Sequence, residues 1–159
     1  MKSINPASII ATLLLLFSCL ASAQEKKFAL GPALGNDVAA YGKVFGLEPK
    51  PKDFFWFGTV PGVGKFKLRW TEKQPVVIYA KFWFSDPAVA SWQMAFKKLG
   101  LAPTKTVVTR KTSGESKTVY EEVSFTTENG KKCEAVYSPV DEEDNTKIPT
   151  IEFEFEGIE

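Results

Sequence analysis

Chemistry in this chain falls to carboxylates, lysines, hydroxyls and a single thiol. It holds no histidine, and one of its two cysteines, Cys19, lies in an apolar leader. There is thus no imidazole to move protons near neutral pH, no Ser-His or Cys-His pair and no His/Cys ligand set for zinc. The stretch Gly58 to Lys65 is rich in glycine, but Thr59 stands where a phosphate loop needs Gly. Phe66 stands where Ser or Thr would meet magnesium. Asp141-Glu142-Glu143-Asp144-Asn145 offers oxygen ligands but lacks the glycine-punctuated spacing of a calcium loop, so it reads as a solvated connection. No carboxylate pair sits in a recognisable catalytic setting, which leaves a carboxylate-based hydrolase as the third reading. No cofactor and no metal are expected.

Binding is the better expectation. Phe54, Phe55, Trp56 and Phe57 are consecutive, and strand alternation must send some of them to each face. Trp56, with Val60, Pro61 and Val63 around a Pro-Gly turn, forms the candidate contact surface; Lys65 and Lys67 follow it. Aromatic and apolar anchors supply desolvation, and the lysines speed encounter with an acidic protein. The sequence therefore predicts a non-catalytic protein-binding module or inhibitor, with Val60 in an exposed hairpin loop. The alternative is a carrier of an apolar small molecule or lipid, with a cavity beside Trp70, Trp83 or Trp92. Nucleic acid is a poor partner for an exported chain that is not strongly basic. Cys133 alternates with Ala135 and Tyr137 and reads as a buried small hydrophobe.

These residues need elements to hold them. Lys43 to Pro49 and Lys97 to Pro103 both end Gly-Leu-x-Pro, a helix stop with Gly in the left-handed conformation. Leu34, Val38, Tyr41 and Phe45 make one helical stripe; Val89, Trp92, Phe96 and Leu99 make the second, with Asp86 and Pro87 as its predicted start. Phe66, Leu68 and Trp70 alternate with Lys65, Lys67 and Arg69, the pattern of a strand with one wet face. Residues 119–127 and 132–138 face each other across Asn129-Gly130, a hairpin turn signal. The last strand alternates through Ile151 to Glu156. The expected fold class is α+β, in the order α-β-β-β-α-β-β-β-β. Two helix-plus-antiparallel-strand units, 30–85 and 86–159, suggest a tandem repeat with helices packed on the sheet. In element order alone this resembles the secreted beta-lactamase inhibitory proteins and the smaller outer-membrane assembly lipoproteins, without any shared residue motif.

Residues 1–23 read as a signal peptide, with Lys2, an apolar core from Ile9 to Leu16, and small residues before Gln24. The mature chain, 24–159, is expected in the periplasm or outside the cell as a single domain with no membrane span. The alternative is a lipoprotein anchored through Cys19. Charge is divided along it: residues 24–114 carry 15 basic and 6 acidic side chains, and residues 115–159 carry 4 and 13.

Overall fold

The first helix opens on Asp37, whose carboxylate accepts the Ala40 N–H at 2.8 Å and so satisfies one of the orphan donors of the first turn. In the computed structural model, which describes residues 28–112, 119–141 and 146–155, α1 runs Val38–Phe45 and stops at Gly46, φ 66°. A 3-10 turn, Gly31–Ala33, precedes it. The second helix, α2, is Trp92–Lys98, and Gly100 beyond it has φ 64°. Both helix stops are as the sequence predicts. The start of α2 is not: Ser91 caps it by accepting from the Met94 N–H, while Asp86 accepts from Ala88 in a separate turn. The leader, Cys19 and the start at Gln24 lie outside the described residues.

Among the described residues seven strands follow the expected order. They are β1 Phe55–Val60, β2 Gly64–Thr71, β3 Gln74–Phe84, β4 Thr104–Thr112, β5 Val119–Thr126, β6 Lys132–Ser138 and β7 Thr150–Phe155. All pairings are antiparallel, in one sheet of order β1-β2-β3-β7-β6-β5-β4. The class is thus α+β with a small helical share. The predicted hairpin of β5 and β6 forms, with Glu121 opposite Tyr137 and Thr126 opposite Lys132. Its loop is longer than a two-residue turn: Thr127 pairs with Lys131, and the Gly130 N–H donates to the Thr127 carbonyl at 2.9 Å. Asn129 then fastens this turn to the N-terminal segment through the Leu34 carbonyl, 3.2 Å away.

Both helices lie on one face, called the inner face below. Phe45 of α1 packs on Trp56, Phe66 and Phe82, while Phe96 of α2 packs on Phe125 and Phe153. Phe82 and Phe153, at 6.2 Å, join the two groups across the β3–β7 seam. Aromatic side chains carry most of this core, each burying a large apolar area. Tyr137 adds a polar tie, its hydroxyl donating to the Val89 carbonyl at 2.7 Å. Among the described residues no helix is long and apolar enough to cross a membrane.

Candidate functional site

Strand alternation decides where the predicted contact residues go. β1 runs on to Val60, and a tight turn returns the chain at Gly64, with the Val63 N–H donating to the Val60 carbonyl at 3.1 Å. Trp56 and Val60 therefore share the inner face, where they are 3% and 4% exposed. Val63 is buried as well, and its carbonyl accepts the Ser85 N–H at 3.1 Å, closing the turn against the end of β3. This corrects the expectation of an exposed apolar loop: Trp56, Val60 and Val63 are core residues. Pro61 stays exposed at the turn, as does Lys65, and Lys67 is half-buried. The glycine-rich look of this stretch has a packing cause: a β-carbon on Gly64 would overlap the Trp83 carbonyl.

The same alternation places Phe55, Phe57 and Thr59 on the opposite, outer face. The cross-strand register continues it through Lys65, Lys67 and Arg69 of β2 and Tyr79, Lys81 and Trp83 of β3. On β7 and β6 it reaches Glu152, Glu154 and Glu134. Among the described residues no helix covers this face. Phe57 is 61% exposed. The Lys67 ammonium lies 5.5 Å from the Phe55 ring centre and 5.7 Å from that of Phe57, and Arg69 lies 5.5 Å from Tyr79. Cations held over aromatic faces are attracted to the ring quadrupole. The face is thus split: strands β1 and β2 are aromatic and basic, β7 is acidic, and β6 carries Glu134 beside Lys132. Glu134 and Glu154 stand directly opposite each other, a like-charge pairing that disfavours the sheet.

Between the two halves stands a charge cluster that periodicity alone does not reveal. Lys81, 2% exposed, meets Asp141 at 3.1 Å and Glu152 at 3.1 Å. The Trp83 indole N–H donates to the other Asp141 oxygen at 2.5 Å, and the Tyr79 hydroxyl donates to Glu152 at 3.0 Å. Burial alone would pull the Lys81 ammonium down, but hydrogen bonds and attraction from Glu152 and Asp141 outweigh it and hold its pKa above the ordinary lysine value. A nucleophilic lysine needs the opposite shift. The cluster therefore acts as a pin: Asp141 ties the β6–β7 connection down onto the outer face. The predicted solvated stretch 141–145 is buried at its first residue, and 142–145 lie outside the described residues.

Two concavities flank these features. On the outer face a groove of about 720 Å³ runs between Phe57, Thr59 and Lys65 on one side and Thr146 and Ile148 on the other, with Trp83 in its lining. On the inner side an open crevice of about 510 Å³ lies beside Trp92, lined also by Phe28, Phe96 and Pro103. Cys133 is buried, and burial pushes its thiol pKa up, so it is not an activated nucleophile. Among the described residues no group of three His, Cys, Asp or Glu side chains is placed to hold a metal ion. No family model, curated protein or solved structure matches the chain.

Proposed function

We propose that the chain is an exported, non-catalytic protein-binding module that meets its partner with the outer face of its sheet. One observation carries this reading: strands β1 and β2 present an aromatic and cationic surface that no helix of the described residues covers, with Phe57 of edge strand β1 61% exposed. A rigid aromatic anchor beside cations supplies desolvation together with electrostatic steering. An inhibitor that occludes another protein's cleft is one form of this function. The leader at residues 1–23 supports the periplasm or the extracellular space as the place of action. The matched helix stops at Gly46 and Gly100 support an origin of 30–85 and 86–159 in one repeated unit.

The test is capture from native envelope or secreted extract with wild type, Phe57→Asp and Pro61→Ala. Phe57→Asp should lose the partner and Pro61→Ala should keep it. Equal capture by wild type and Phe57→Asp removes the outer face as the recognition surface.

The crevice beside Trp92 supports a second reading, a carrier of an apolar small molecule. An apolar ligand retained through purification, whose release changes Trp92 fluorescence, would favour it over the first.

A further inference from the structure

We propose that an extended acidic segment of the partner protein lies along the outer face of β2, its alternate carboxylates paired with Lys65, which lines the outer-face groove, and with Lys67 and Arg69 beyond it. This rests on the outer-face reading above and adds the place and the chemistry of recognition.

The spacing comes first. Lys65, Lys67 and Arg69 are alternate residues of β2 and share one face, so they repeat at about 6.8 Å. An extended peptide repeats its own same-face side chains at that interval. A segment lying along β2 therefore meets one cation for every second residue. None of the three cations has a salt-bridge partner among the described residues. Lys67 is held against the face by the rings of Phe55 and Phe57 rather than trailing into water.

The walls define the rest of the occupant. Ile148 is 40% exposed on one side of the groove and Phe57 61% on the other. Both favour an apolar side chain where the segment enters the groove, at its Lys65 end. The Asp141 carboxylate in the lining is already engaged by Lys81 and Trp83.

The basic strip is also narrow. The next cation, Lys81, is consumed by Asp141 and Glu152, and beyond it Glu154 and Glu134 repel anions. A single extended chain fits that strip. A nucleic-acid duplex, with phosphates on two strands around a wide rod, would lie partly over the acidic side chains.

The probes are a blocked octapeptide of alternating Glu and Leu, the same peptide with Gln for Glu, and a single-stranded oligothymidylate. Each is titrated into the mature chain and followed by amide chemical shifts. The Glu peptide should shift Phe57, Lys65, Lys67 and Ile148. The Gln peptide should bind at least tenfold more weakly, and so should the Glu peptide to Lys65→Glu/Lys67→Glu. Raising the salt should weaken the Glu peptide, since the contacts are exposed and screened. Circular dichroism of the double variant confirms that it folds. Equal binding of the Glu and Gln peptides, shifts confined to another surface, or no binding at millimolar peptide would each overturn the proposal. Tighter binding of the oligothymidylate would also overturn it and assign the strip to nucleic acid. If Phe57→Asp loses the natural partner while the Glu peptide fails to bind, outer-face recognition stands and the acidic-segment inference alone falls.

Discussion

Lys81 and Asp141, separated by 60 positions in sequence, meet at 3.1 Å with 2% and 1% of their side chains exposed. Such a pair is costly to halve, because removing one charge leaves the other buried without compensation. Lys81→Met should therefore lower stability by about 3–5 kcal/mol, read as a shifted urea midpoint. A loss below about 1 kcal/mol, the range of an exposed pair, would mean that water reaches Asp141 and that the connection is not pinned.

The two helix-closing glycines should respond unequally. Gly46 and Gly100 share a left-handed backbone, but a β-carbon on Gly46 meets nothing within 4 Å, whereas one on Gly100 would overlap the Phe28 carbonyl. Gly46→Ala should cost about 1 kcal/mol for the backbone conformation alone. Gly100→Ala adds a clash with backbone and should cost on the order of 3 kcal/mol. Thermal melts of the two variants side by side decide it; equal losses would contradict the close approach of residues 28–29.

Val60→Asp tests the corrected position of that residue. A carboxylate placed at a site 4% exposed has no partner there and should destabilise by on the order of 3 kcal/mol. Pro61→Ala, one residue on and exposed, should change stability by less than about 0.5 kcal/mol. A Val60→Asp protein as stable as wild type would return Val60 to the surface.

Alkaline pH should loosen the fold. Burial, with a smaller contribution from Glu121, pushes the Tyr137 phenol from 10.0 up to about 12. The Cys133 thiol and the Lys81 ammonium are also raised from their ordinary 9.0 and 10.5. Each group gives up its proton more readily in the unfolded chain, so the native state binds more protons at high pH. Stability is then fully present below about pH 9 and falls as pH rises beyond it. The urea midpoint should hold steady from about pH 7 to 8.5 and drop through pH 10. An aromatic disulfide reagent should leave Cys133 unmodified until the protein unfolds. A midpoint unchanged to pH 11, or immediate labelling, would show that these groups are in water.

What the chain discloses locally it discloses well. Gly46, Gly100 and the Asn129-Gly130 turn are readable because the conformations they require are set within a few residues. The wet face of β2 is readable because Lys65, Lys67 and Arg69 alternate strictly. Val60 misleads because the strand continues past Gly58 to the turn, and only the length of the strand tells which way Val60 points. Lys81 misleads for a different reason. Its partners Asp141 and Glu152 come from the β6–β7 connection and from β7, and no local pattern announces that β7 inserts beside β3. Of the candidate contact residues, Pro61 and the lysines stay on the outside while Trp56, Val60 and Val63 serve the core. Phe57, which takes their place, differs from Trp56 only in the parity of its position.

Thr150–Phe155 comes last in chain order among the described strands, yet it occupies the middle of the sheet between β3 and β6. Until it arrives, β3 and β6 each present a bare hydrogen-bonding edge, and the aromatic contact between Phe82 and Phe153 is missing. Without β7 the pairing would leave two unjoined half-sheets, β1-β2-β3 and β6-β5-β4, with a slot between them. The slot has the shape of β7 from any copy, so two chains opened at the β6–β7 connection could trade terminal strands and emerge as an entwined pair. The carboxylate of Asp141, held by Lys81 and Trp83, fastens the chain ahead of β7 to β3 of the same molecule and so opposes that exchange.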